Sequence, residues 1–392
     1  MGPWPRRLLA TGLVGLVASC AGPRAPVPAR TGGQTGCVSA AHWVVPATRR
    51  ERPAPEVIRD AARSRIVLLG ELHDRADHHS WQLQTVAALA ARRPVVLGFE
   101  MFPRRTQAVL DRWVAGELDD AALLRETDWP RVWGFPAALY LPLFEFARLN
   151  RAPMRALNVD RALVSRVGRE GWAAVPAGER EGVSDPAPPA PGYRSTLAEA
   201  MAAHGGAAAP SDAGLQRFVE AQLTWDRALA EGLVAAAREH PDALIVGIMG
   251  TGHLEHGYGV PHQLAALGEH DVRVLLPWDT DRDCAQLTPD LADAVFGIAP
   301  TAGAPDHGPH LGVTLAPARE GVRVAEVTAG SVAAAAGLRR GDVIVEAAGT
   351  RTATPADLRA VVEAQAPGTW LPLRVRRGGR TREIVARFPR PS

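Results

Sequence analysis

A chain of 392 residues with 46% hydrophobic side chains is long enough for two or three domains, each with a sizeable core. Its formal net charge of +2 removes any electrostatic reason to expect nucleic acid as a partner.

The first segment is Arg6-Arg7, the apolar stretch Leu8 to Val17, then Val17-Ala18-Ser19-Cys20. A positive start, a short apolar run and small residues read as a signal peptide over 1–19. The cysteine after the small residues resembles a bacterial lipobox, which implies cleavage before Cys20 and lipidation of its sulfur. Ala21 in place of Asp favours, by the same resemblance, the periplasmic side of the outer membrane, with the lipid as the membrane contact. Losing Arg6 and Arg7 with the leader brings the basic count level with the 42 acidic side chains. Residues 20–57 begin as a Pro- and Gly-rich tether and lead into the fold. Cys37 and Cys284 remain, either as a disulfide in an oxidising compartment or as two free thiols.

From 58 to 298 short apolar runs alternate with helical stretches. Ile66–Leu69, Val95–Gly98, Met154–Leu157, Leu244–Met249 and Val272–Leu276 are strand candidates, with helices expected around 77–92, through 104–125 and over 137–150. This pattern predicts an α/β fold, a mostly parallel sheet covered by helices. Residues 183–214 interrupt it with Pro, Ala and Gly, reading either as an excursion over one end of the sheet with a short helix near 195–204 or as a disordered stretch. A second break, 299–309, reads as a linker to a compact α+β tail.

The strand ends carry the chemistry. Glu71 and His73 follow the first strand, Glu100 the second, Asn158 the third and His253 the fourth. Ligands of open parallel sheets bind outside the carboxyl ends of the strands, so topology alone brings these groups to one edge. Gly-x-x-His occurs at Gly70–His73 and again at Gly250–His253, and glycine would allow a sharp turn off each strand. His73 and His253 with Glu71 or Glu100 suit a divalent metal in a mixed N/O site. The same carboxylates suit acid–base roles, or simple hydrogen bonds to the imidazoles. Asp77 reads as a helix N-cap before His78 and His79; those two point about 100° apart on a helix, so one is expected to face solvent. Gln222 and Asp226 share a helix face and either line the same edge or pair along the helix.

Two resemblances follow from longer motifs. Gly337-Leu338-Arg339-Arg340-Gly341-Asp342-Val343-Ile344 resembles the core of a PDZ domain, spanning 310–388. That resemblance implies that Leu311, Gly312 and Val313 receive a peptide's C-terminal carboxylate while the peptide adds as a strand; His310 departs from the usual apolar first position and leaves ligand preference open. GELHDRADHHSWQLQ, FEMFPRR, GELDD, DWPRVWGF, ALN at 156–158, EAQLTWDRALAE and GTGHLEHGYGVP together resemble the ChaN-like haem-binding lipoprotein domain of the Tiki and erythromycin-esterase superfamily. The resemblance implies haem binding in iron uptake, and haem iron needs a Tyr or His. Tyr258, just past His253 and so close to the crevice, is the first candidate contact, and Tyr140, in a helical stretch with Trp133 and Phe135, is the second. His253 is a further candidate, and a second copy of the chain, in a dimer, is a candidate partner. The wider superfamily implies the rival reading, a metal-dependent hydrolase or peptidase using Glu71, His73, Glu100 and His253, with Glu71 and Glu100 as its catalytic carboxylates. A third reading keeps the first domain as a scaffold and leaves the work to the PDZ domain.

Overall fold

A computed structural model describes residues 36–205, 211–299, 310–363, 365 and 368–389. The expected signal peptide, Cys20, most of the tether and residues 300–309 of the linker lie outside the described residues. The chain enters through a short hairpin, β1 (Trp43–Val45) and β2 (Arg50–Arg52), then α1 (Ala54–Ala61). Alternation follows: β3 (Ile66–Glu71), α2 (Ala76–Ala90), β4 (Val95–Pro103), α3 (Gln107–Val114), α4 (Asp120–Glu126), α5 (Trp129–Val132), α6 (Ala137–Leu149), β5 (Met154–Asn158) and α7 (Arg161–Glu170). The Pro-rich excursion holds α8 (Tyr193–Gly205) and leads to the long α9 (Asp212–Glu239). Next come β6 (Leu244–Gly250), α10 (Val260–Ala266), β7 (Val272–Asp279) and β8 (Ala294–Ile298).

These strands make one sheet in the order β2-β1-β8-β7-β3-β6-β4-β5. Neighbours from β8 to β5 run parallel, and the β1–β2 hairpin is added antiparallel at one edge. Side chains alternate between faces along a strand, so Val67 and Leu69 of β3 join one core with Leu97 and Phe99, while Ile66 and Leu68 join another with Ile245 and Leu233. Both faces are therefore buried, as the unbroken apolar runs require. The expected α/β class holds.

β4 runs past Gly98 to Pro103, so Glu100 lies within the strand, not after it. A shift of register against β5 between Phe99 and Pro103 accommodates the extra length. The helix after β3 starts at Ala76 with Arg75 at its N-cap and no side-chain cap bond, so Asp77 is not the cap.

The tail forms its own antiparallel sheet: β9 (Val313–Ala318), β10 (Gly321–Val327), β11 (Val343–Ala347), β12 (Thr350–Arg351), β13 (Trp370–Arg377) and β14 (Arg380–Arg387), with helices α11 (Val332–Ala336) and α12 (Pro355–Glu363). Leu311, Ile344, Leu358, Leu371 and Val375 belong to its separate core. The Gly-Leu-Arg-Arg-Gly-Asp stretch is a clasp. Gly337 ends α11 at φ 81°, and buried Asp342 accepts from the Arg339 N–H (2.8 Å) and from two Arg377 nitrogens (2.7 Å each).

Candidate functional site

Two hydrogen-bonded chains of side chains converge at the carboxyl edge of the large sheet. The first starts on Glu71, the last residue of β3, which is fully buried. Its Oε1 accepts from the Tyr140 hydroxyl (3.0 Å) and from His73 Nδ1 (2.9 Å). His79 lies on the other side: its Nε2 donates to the His73 carbonyl (3.1 Å), and its Nδ1 stands 3.3 Å from Glu71 Oε2. Those last two atoms find no other partner. Burial pulls the His73 imidazole down, but the Glu71 bond and the Glu100 charge lift it above its ordinary range. Burial keeps His79 below its own. Burial and the Glu71 charge push the Tyr140 hydroxyl well above the usual phenol range, so it is a fixed donor.

The second chain starts on Glu100 in β4. Its Oε2 accepts the Gly250 N–H (2.7 Å), its Oε1 is 3.4 Å from His253 Nε2, and its backbone carbonyl accepts from Asn158 at the end of β5 (2.8 Å). His253 Nδ1 donates to Asp226 Oδ1 (2.6 Å), and the Tyr193 hydroxyl donates to Asp226 Oδ2 (2.7 Å). The Gln222 amide lies 3.4 Å from the same Nδ1, one helical turn from Asp226 on α9. Both Gln222 and Asp226 therefore serve this edge. Burial opposes the charge on His253, yet Glu100 and Asp226 push it up to about 10. Burial likewise opposes the charge on Glu100, and His253 holds it down to about 2. Asp226 is raised, chiefly by burial. The pair is thus an ion pair sealed inside the fold.

The chains meet over Gly250. A Cβ there would sit 2.9 Å from His73 Cε1 and 3.1 Å from its Nε2, and 3.7 Å from Glu100 Oε2. Gly250 has φ −61°, and Gly70 is an ordinary strand residue whose Cβ would strike Leu276 at 2.5 Å. These glycines supply room, not the sharp turn expected from the sequence. His73, His253, Glu71 and Glu100 do share one edge, but they are spent in pairs. Among the described residues no group of three or more His, Cys, Asp or Glu is arranged to hold a metal ion.

Around His73 the surroundings become apolar. Trp133 packs edge-on to its ring at 4.7 Å between centroids and Phe135 lies at 5.1 Å, while neighbouring Leu72 is 44% exposed. Trp133 also walls a cleft of about 310 Å³ at the ends of β4 and β5, with Trp225 opposite and Arg105, Arg131 and Arg161 among its polar lining. Trp225 in turn packs against His253 at 5.5 Å.

Several expectations need revision. His78 and His79 are both buried. His78 accepts the Leu72 N–H (3.0 Å) and reaches Asp279 (3.3 Å), while His79 faces Glu71; a turn of about 100° sends them to two separate carboxylates instead of sending one to solvent. Tyr140 and His253 are buried and engaged as described. Tyr258 is half-buried, stacks on His256 at 5.2 Å and lies 6.1 Å from Tyr193, against the Gly192 backbone. Sequence reasoning gave no role to Trp225 or Tyr193 and placed Trp133 only as a helical neighbour of Tyr140. Trp225 has a readable signal, since it adjoins Asp226 on the same helix; Tyr193 sits in the Pro-rich excursion, where no period marks it.

In the tail, Leu311 is buried, Gly312 has φ 73°, and Val313 opens β9. Among the described residues β9 pairs only with β10, so its outer edge is free for strand addition.

The architecture defines a two-domain protein: a doubly covered α/β sheet with a polar and aromatic edge, joined to a small antiparallel domain of the PDZ kind. A family model described as haem-binding uptake, Tiki superfamily, ChaN matches residues 57–264, over half the chain, and a PDZ model matches 309–386. The chain belongs to that ChaN family. The solved structure of ChaN of Campylobacter jejuni, described as binding haem cofacially, is 17% identical with a TM-score of 0.51, the match covering 65% of this chain and 95% of that one. An HtrA-type protease solved with a decapeptide is 24% identical over 20% of this chain and 28% of its own, TM-score 0.20. A serine endoprotease from Yersinia pestis is 25% identical over 20% and 28%, TM-score 0.19. No curated protein matches the sequence.

Proposed function

We propose that this chain binds haem at the carboxyl edge of its large sheet, with His73 as the residue that faces the iron. The observation that carries the reading is the state of His73. Its Nδ1 bonds Glu71 while its Nε2 lies over Gly250, and its ring is flanked by Trp133 and Phe135. An imidazole oriented through its second nitrogen by a carboxylate is the usual form of a metal-ligating histidine. Haem, if bound, would supply an iron that the His73 imidazole could hold. Leu72, Trp133 and Phe135 offer apolar contact to a flat macrocycle, and Arg105, Arg131 and Arg161 offer guanidinium forks to its carboxylate arms. Membership of a haem-binding family supports the same ligand.

Around this core the reading extends to lipid anchoring at Cys20, a periplasmic position at the bacterial outer membrane, and a role in haem acquisition. The PDZ domain would hold a protein C-terminus at Leu311-Gly312-Val313. The test is a haem titration of the purified chain followed by absorbance. A saturable Soret shift is expected in the wild type and in Tyr258→Phe, and its loss in His73→Ala with far-UV circular dichroism unchanged. A shift that survives in His73→Ala removes that residue from the site.

The Glu100–His253–Asp226–Tyr193 chain supports a second reading, hydrolysis at the same edge with Glu71 or Glu100 handling the proton. Tightly held divalent metal, lost in His73→Ala and in His253→Ala, with no Soret shift in the wild type, would favour it.

A further inference from the structure

Cys37 and Cys284 lie 247 positions apart in sequence, and the fold puts them together: the Cys37 backbone N–H points at the Cys284 sulfur at 3.0 Å. Both are half-buried and unbonded, so small reagents have access. Their backbones are fixed from either side. A Cβ on Gly36 would lie 2.9 Å from the Thr280 carbonyl, and Val38 is buried. The Ala41 N–H donates to the Gly297 carbonyl (2.8 Å), the Thr280 N–H to the Ile298 carbonyl (2.9 Å), and Arg49 to the Leu287 carbonyl (3.2 Å). With the Cys37 backbone this close to the Cys284 sulfur and both segments anchored, little backbone movement is needed for the two cysteines to join.

We infer that Cys37 and Cys284 form a reversible disulfide that clasps the entry segment of the chain to the loop after β7. The co-reactant is an external disulfide, R–S–S–R. The Cys284 sulfur, at which the Cys37 N–H points, attacks as thiolate, forming a Cys284–S–S–R bond and releasing one RS⁻. The Cys37 sulfur, after giving its proton to solvent, attacks the Cys284 sulfur and releases the second RS⁻. The protein loses two electrons and two protons, and the external disulfide becomes two thiols. The new bond closes a loop around nearly the whole α/β domain, so it restricts the unfolded chain strongly.

The test uses the full chain, incubated with oxidised or reduced glutathione, blocked with iodoacetamide and mapped by peptide mass. After oxidised glutathione, the peptides bearing Cys37 and Cys284 are expected as one linked species that dithiothreitol separates, with a higher melting temperature than the reduced form. Cys284→Ser is expected to abolish the redox-dependent shift while melting like the reduced wild type. Full alkylation of both cysteines after oxidation overturns the inference. So does Cys37 linked to Cys20 or to a second chain, or a redox shift that persists in Cys284→Ser.

Discussion

His253 is held between two buried carboxylates, Glu100 and Asp226, and each of the three depends on the others. Removing one partner of a buried charge pair costs about 3–5 kcal/mol, because the remaining charge stays desolvated. His253→Ala is therefore expected to lower the unfolding free energy by that order, read from urea denaturation, whereas Tyr258→Phe should change it little. The pH dependence has a definite sign on each side. Glu100 sits at about 2 against an ordinary 4.5, so its stabilisation is complete above its unfolded value and is lost as pH falls toward 2. His253 sits at about 10 against 6.5, so its contribution is complete below 6.5 and fades as pH rises through 10. Urea midpoints measured across pH should form a plateau between 4.5 and 6.5 and fall away on either side toward 2 and 10, and His253→Ala should flatten both flanks. Four residues of this site, Glu71, His73, Glu100 and His253, were legible in the sequence, because strand ends of a parallel sheet must converge. Their pairing was not, since hydrogen-bond partners come from helices whose rotation no apolar period fixes; His79 and Tyr193 show this.

At the scale of elements, the close approach of β3, β6 and the residues after them depends on missing side chains. Gly250→Ala places a Cβ 2.9 Å from the His73 ring. Overpacking of this kind costs about 1–3 kcal/mol, and His73 is the part free to move, being partly exposed at its edge. The expected result is a roughly tenfold weaker haem affinity, since each 1.4 kcal/mol is a factor of ten, with urea stability reduced by less than in His253→Ala. Unchanged affinity would place the ligand away from His73. The long apolar strands were plain in the sequence. The β1–β2 hairpin was not, because three-residue strands carry no detectable alternation and are recruited by pairing with β8. The extension of β4 was hidden for another reason: Glu100 reads as an end signal, and only its ion pair with His253 lets it lie inside a buried strand.

At the scale of the whole molecule, the two domains solve different recognition problems. The α/β domain gathers side chains at one sheet edge, while the PDZ domain offers backbone, the free edge of β9 beside the Leu311-Gly312-Val313 loop. Both were readable as motifs, the tail through its Gly-Asp clasp and the first domain through ordered strand-end signatures. No helix among the described residues is long and apolar enough to cross a membrane. The claim on which the functional reading turns is the position of the iron. Crystals soaked with haem and measured at the iron absorption edge report it directly. An anomalous peak within bonding reach of His73 Nε2, beside Trp133 and Phe135, is the expected result; a peak at Tyr258, or on the PDZ domain with none at the sheet edge, would contradict it.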